Sequence, residues 1–278
     1  MNVGIKLDNG YFYTTECYTM TIKIIIPFYR KDITKLEMRS FTQVYNLLSN
    51  FYPIVIVKPK SLDLSFLLQN FPNLDLKSFE DDFFKNITGY NRLMMSTCFY
   101  ERFLDCDYIL IHQLDAYVFK NELQEWCEKG YDYIGAPWLQ KPVYRLPIIK
   151  QSLSLLRKFR SISGKKDKSM FYDKVGNGGF SLRKVKSHYD ITITHKDRID
   201  YFLAQKKSHF YYEDVFWATE VNKQGDLFRY PSMEEALSFA FDKYPALCYK
   251  LNGNKLPFGC HAWYKRKMRS FWKPIIGF

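Results

Sequence analysis

At 278 residues, 47% of them hydrophobic and 18% aromatic, the chain can bury a sizeable core and is too apolar for general disorder. No apolar run reaches the roughly 18 residues a bilayer span needs, and no charged start with an apolar core marks a secretory signal. The net charge of +12 gathers in two segments, nine Lys or Arg against one Asp in 141–170 and five against none in 261–278, which points to a localised anionic partner.

Taken in chain order, residues 1–19 read as an appendage, with residues 20–278 as a single domain. Thr21–Pro27 is expected as a buried strand stopped by proline. A helix follows over Thr34–Ser49, then a buried strand over Pro53–Val57. A short helix near Leu62–Gln69 and a strand near Leu74–Phe79 come next. Gly89 opens a helix through Phe103, and Tyr108–Leu114 forms the following strand. Asn121–Lys129 is expected to be helical and Tyr131–Ile134 a short strand. Strands alternating with helices predict βαβ units, a mainly parallel sheet and a Rossmann-like nucleotide-binding layer. The second half is less regular, and the Ser- and Lys-rich segment 141–170 reads as a basic insertion. Cys17, Cys98, Cys106, Cys127, Cys248 and Cys260 form no C-x-x-C pair, so reduced thiols in a cytoplasmic protein are expected.

Three motifs could carry chemistry. Gln113-Leu114-Asp115-Ala116 leaves a lone carboxylate at the end of an apolar strand, the edge where open α/β sheets bind ligands. A carboxylate there suits a divalent ion carrying a diphosphate, while an N-cap is the structural alternative for Asp115. Gly176-Asn177-Gly178-Gly179 precedes a strand-like segment, and its glycines permit positive φ or close backbone approach, in a ligand loop or in a bulge or hairpin turn. It has neither the Lys-Ser/Thr ending of a P-loop nor the context of a dinucleotide fingerprint. Glu213 and Asp214, beside aromatic residues, could hold a general base with a tuned pKa or could cap a helix. Trp138, Trp217 and Trp263 sit in motif segments where indole faces could pack on sugars, with core packing as the default. His261 is a lone histidine within Pro257–Trp263.

The ordered set Ile25–Arg30, Tyr90–Met94, Gln113–Ala116, Ile134–Trp138, Gly176–Arg183, Glu213–Trp217 and Phe258–Trp263 resembles GT-A-fold glycosyltransferases. It looks closest to an uncharacterised family grouped with them, over about residues 22–265. The resemblance implies an α/β fold with a mainly parallel sheet and an irregular acceptor-side half. It implies that Asp115 matches the last acidic position of the Asp-x-Asp metal motif and that His261 completes a Mn²⁺ or Mg²⁺ site. Asp214, in the Glu-Asp motif with Glu213, matches the base of inverting members. Pro27, Tyr29, Arg30, Tyr90, Arg92, Gln113, Gly178 and Gly179 fall where such folds hold the donor. Gln113 departs from the motif, standing where its first acidic residue would be.

The expected activity is therefore transfer of a sugar from a nucleotide diphosphate sugar, UDP-linked by preference, to a glycan or lipid-linked hydroxyl. A nucleotidyltransferase and a catalytically inactive sugar-binding relative are the alternatives, and a basic nucleic-acid-binding protein is a remote one without a recognition module. The cationic segments 141–170 and 261–278, with Phe271 and Trp272 in the second, suit docking on an anionic inner membrane face.

Overall fold

The structure, a computed structural model, describes residues 5–6, 12–13, 20–140, 171–172, 174–205 and 209–278. The expected basic insertion at 141–170 and most of the N-terminal appendage lie outside these residues. Two short strands, β1 (Ile5–Lys6) and β2 (Phe12–Tyr13), pair antiparallel. The main sheet contains β3 (Ile22–Pro27), β4 (Ile54–Pro59), β5 (Leu74–Phe79), β6 (Tyr108–His112), β8 (Tyr133–Gly135) and β9 (Phe180–Lys184). Its strand order is β5-β4-β3-β6-β9-β8. A smaller sheet, ordered β10-β11-β7, joins β10 (Ala240–Phe241), β11 (Gly259–His261) and β7 (Ala116–Val118).

The central strands are apolar on both faces, as a sheet covered on both sides requires. In β3, Ile22, Ile24 and Ile26 pack with Phe41, Val44 and Leu48 of α1 (Lys35–Leu48). Leu67 of α2 (Ser65–Asn70) and Trp126 of α5 (Leu123–Glu128) join the same layer. Ile25, Val55, Ile109 and Ile111 face the opposite layer, with Leu93 of α3 (Ile87–Met94), Phe99 of α4 (Thr97–Glu101) and Ile191 of α6 (Val185–Thr194). Burying each such side chain contributes about 1.5–3 kcal/mol, so these two layers dominate the stability of the fold.

Several expectations need adjustment. The sheet is parallel only from β5 to β6; β9 runs antiparallel to both β6 and β8. The helix expected from Gly89 begins two residues earlier, because Asn86 caps it by accepting from Gly89 N at 3.1 Å. It also breaks before Phe103: Ser96 Oγ accepts from Phe99 N at 3.3 Å and starts α4 as a separate helix. No helix among the described residues is long and apolar enough to cross a membrane.

Candidate active site

Pro27 ends β3 and Gln113 follows β6, two neighbouring parallel strands, so both stand at the carboxyl edge of the sheet. A cavity of about 370 Å³ opens there. Pro27, Tyr29, Tyr90, Gln113 and Asp115 line it, and Tyr264 and the Phe84–Ile87 segment complete the wall. The Tyr90 hydroxyl is buried, with Gln113 as its neighbour on the cavity wall.

The small sheet sets the second feature. Register places His261 opposite Ala116 and pairs Phe241 with Cys260, so Asp115, His261 and Asp242 converge at one end. Asp115 Oδ1 lies 3.1 Å from His261 Nε2, and Asp242 Oδ1 lies 3.2 Å from Nδ1. Lys265 Nζ stands 3.2 Å from the other Asp115 oxygen. Burial opposes charge on the imidazole, but Asp115 and then Asp242 outweigh it and raise its pKa to about 10. Burial would likewise raise the Asp115 carboxyl, yet His261 and Lys265 hold it well below the usual carboxylate range. Ala262 follows at φ 57°, a left-handed conformation that costs a non-glycine residue about 1–3 kcal/mol and here turns the chain sharply after His261.

His261 Nε2 is buried and makes no aligned hydrogen bond despite its closeness to Asp115. An imidazole nitrogen and a carboxylate oxygen facing each other in this way fit a shared divalent ion once the ion displaces the Nε2 proton. The described residues contain no ready-made cluster of three such ligands. A two-ligand site suits ions that complete their shell with phosphate oxygens and water.

The Gly176–Gly179 turn closes the site from β9. Gln113 N donates to Gly179 O at 2.8 Å, which stitches the turn to the end of β6. Positive φ, anticipated for these glycines, is not used by Gly176, Gly178 or Gly179. Space is the constraint instead: a methyl on Gly179 would overlap the His261 ring, one on Gly178 would meet Glu213 Oε1, and one on Gly176 would meet Trp138. Gly179→Ala must therefore displace His261. The variant should fold, yet lose at least tenfold in Mn²⁺ affinity measured by electron paramagnetic resonance; unchanged affinity would show that the ring has room to yield.

Beneath the turn, Arg183 projects from β9 into the core. Its Nη2 donates to Glu213 Oε1 (3.1 Å) and lies 3.0 Å from Oε2, while Nη1 donates to Tyr100 Oη and Nε to Ser181 Oγ. Asn91 Oδ1 accepts from Glu213 N at 3.1 Å, tying α3 to the same network. Glu213, expected as a catalytic residue, is thus buried and already committed to an ion pair with Arg183. Asp214 is only partly buried and lies beside Gly178. Burial first, then the neighbouring Glu213, raises its pKa to about 7 despite the hydrogen bond from Val215 N.

The other expected residues divide. Arg30 pairs with Glu37 at 2.6 Å and bonds the Asp32 carbonyl, so its charge is already engaged beside the cleft. Arg92 stands one groove away, near Lys85 and over the Phe83 ring. Trp217 and Trp263 are fully buried, and their indole N–H groups donate to Met94 O and Ser40 Oγ. Neither presents a face to a sugar, so stacking is replaced by core packing; Trp138 retains partial exposure. Sequence reasoning assigned no individual site role to Asp242, Asn177, Arg183, Tyr264 or Lys265, although Asn177 and Arg183 lie in the Gly176–Arg183 motif and Lys265 in the basic segment 261–278. Asp242 carried a readable signal, a carboxylate closing the short apolar run Phe239-Ala240-Phe241, as Asp115 follows β6.

Residues 73–261 match the family described as "Protein of unknown function (DUF5672)". No curated protein matches the chain. Among solved structures, the galactosyltransferase LgtC in complex with donor and acceptor sugar analogues is similar at 12% identity and a TM-score of 0.53, over 92% of this chain and 95% of that one. Apo glycosyltransferase GlyE of Streptococcus pneumoniae aligns over 94% of this chain and 61% of its own, at 12% identity and a TM-score of 0.52. Apo mouse xyloside xylosyltransferase 1 aligns over 87% and 98%, at 12% identity and a TM-score of 0.50. The fold is that of the GT-A glycosyltransferases, a central sheet flanked by helices.

Proposed function

The chain belongs to the DUF5672 family of unknown function, and for it we propose transfer of a sugar from a nucleoside diphosphate sugar to an acceptor hydroxyl. The observation that carries this reading is Asp115 Oδ1 facing His261 Nε2 at 3.1 Å, at the rim of a strand-end cavity. The fold shared with LgtC, whose structure holds donor and acceptor sugar analogues, supports the substrate class.

Asp115 and His261 would hold Mn²⁺ or Mg²⁺, with Gln113 beside them offering an amide oxygen as a neutral acceptor. When bound, such an ion neutralises charge developing on a leaving diphosphate. Lys265, next to Asp115, adds a fixed cation on the same side. Tyr29 and Tyr264 form aromatic walls for the nucleoside, and the Tyr90 hydroxyl offers a hydrogen bond inside the cleft. Asp214 takes the acceptor proton as that oxygen attacks the anomeric carbon and the bond to diphosphate breaks. Attack opposite the leaving group inverts the centre.

A donor screen beginning with UDP-sugars, scored by nucleoside diphosphate release, tests the proposal. Release should depend on added Mn²⁺ or Mg²⁺ and fall by at least a hundredfold in Asp115→Ala with the fold intact. Pyrophosphate release would overturn sugar transfer in favour of nucleotidyl transfer. Donor binding without any release would mark an inactive sugar-binding relative.

The acceptor belongs, on this reading, to glycan or lipid-linked substrates. Arg266, Lys267, Arg269 and Lys273 are all exposed on one basic segment, and each contributes about 1 kcal/mol beside an anionic bilayer. Co-sedimentation with anionic but not neutral vesicles is expected, reduced by salt and by changing these four residues to Gln. Equal partitioning onto both vesicle types would remove the membrane from the picture.

A further inference from the structure

Asp242 lies outside the cavity lining, yet it is nearly buried and directed at the site. The parallel register that pairs Phe241 with Cys260 brings Asp242 beside His261, with Oδ1 3.2 Å from Nδ1. A second group approaches the same nitrogen: Asn177 Nδ2 at 3.3 Å. The Asn177 amide orientation is fixed, because its Oδ1 accepts from Gly179 N (2.7 Å) and Phe180 N (3.0 Å). Nδ2 therefore meets the ring as a donor, and Asp242 is the group that offers Nδ1 an acceptor. Backbone strain brackets the pair: Tyr244 and Ala262, just past Asp242 and His261, both hold left-handed φ.

A histidine whose Nδ1–H is held by a carboxylate presents Nε2 as its ligand nitrogen, with its ring orientation fixed. Here Nε2 is the atom that faces Asp115, at 3.1 Å, an ion-pair contact that a divalent ion would replace. We propose that Asp242 is a positioning residue that holds the Nδ1–H of His261 and so presents Nε2 to Asp115 and to an ion carried by a diphosphate. The ring's orientation stands on the geometry alone, whereas the ion rests on the sugar-transfer reading above.

Five histidines in the chain make selective ¹⁵N-histidine labelling practicable. In the metal-free protein, the Nδ1–H signal of His261, assigned by its loss in His261→Gln, should be protected from solvent exchange. It should survive in Asp242→Asn, whose amide oxygen still accepts, and disappear in Asp242→Ala. Absence of the protected signal in the wild-type protein would overturn the proposal without any variant having to fold. Its persistence in folded Asp242→Ala would overturn it equally. Mn²⁺ affinity should fall about 10–100-fold in Asp242→Ala and far less in Asp242→Asn; equal affinity in wild type and Asp242→Ala would count against the role. If the ring signals behave as expected and the wild-type protein takes no Mn²⁺, positioning stands and the metal reading fails.

Discussion

Asp214→Asn is expected to lower turnover by roughly 10²–10⁴-fold, the range of general-base contributions, while making the protein more stable above pH 7. The two effects share one cause. Burial and the adjacent Glu213 raise the folded-state pKa of Asp214 to about 7, against about 4 for an unfolded aspartate. Between those values the native chain holds a proton that the unfolded chain has released, so stability falls as pH rises through this window. Above pH 7 the penalty is complete, on the order of 2–4 kcal/mol. Asparagine has no charge to bury and escapes it. Urea unfolding at pH 8 should show the variant ahead of the wild type, with the difference closing near pH 4. The rate profile has the opposite sense: with the carboxylate as the proposed proton acceptor, wild-type kcat/KM should fall tenfold per pH unit below about 7. Lost donor affinity with turnover intact would recast Asp214 as a binding residue.

Glu213→Gln should act almost in reverse. Removing one partner of a buried pair leaves Arg183 charged and uncompensated, a change that typically costs about 3–5 kcal/mol. Arg183 has nowhere to take that charge, since its side chain is fully buried and its nitrogens are spent on Ser181, Tyr100 and Glu213. Unfolding should shift accordingly, yet plateau turnover at high pH should stay within about tenfold of wild type, because the proton acceptor remains. Losing the Glu213 charge also relieves repulsion on Asp214, so the acid limb of the rate profile should move to lower pH. Collapse of plateau turnover in folded protein would return Glu213 to a direct chemical role.

The contrast between these residues shows where the sequence could be read. Apolar runs such as Ile22–Ile26 and Tyr108–Ile111 announced the central strands, because burial on both faces leaves no alternation to confuse. Asp115 was legible for the same reason, as a carboxylate abruptly ending such a run. The residue pattern by itself did not separate adjacent Glu213 and Asp214, which only the resemblance told apart: the fold shows that one faces Arg183 on β9 and the other stands by Gly178. Trp217 and Trp263 misled because an indole in a motif segment reads the same whether its face meets a ligand or Phe228 and Tyr264. The antiparallel turn of β9 was hidden as well, since strand direction depends on a connection whose length, 141–170 included, says nothing of its path. Asp242 was visible as a carboxylate closing an apolar run, but its place beside His261 required the pairing of β10 with β11, a non-local contact that no local pattern records.

The small sheet also fixes when the protein can become competent during its own synthesis. Residues 22–112 supply all four parallel strands, so that four of the six strands of the main sheet can assemble while the rest of the chain is still being made. Asp115 emerges early but gains its imidazole neighbour only when β11, the last strand, pairs with β7. Long-range pairings of this kind are slow to close. A nascent or truncated chain would thus carry part of the strand-end cleft without the Asp115–His261 pair, and on the proposed reading the chemistry would be the last property of the fold to arrive.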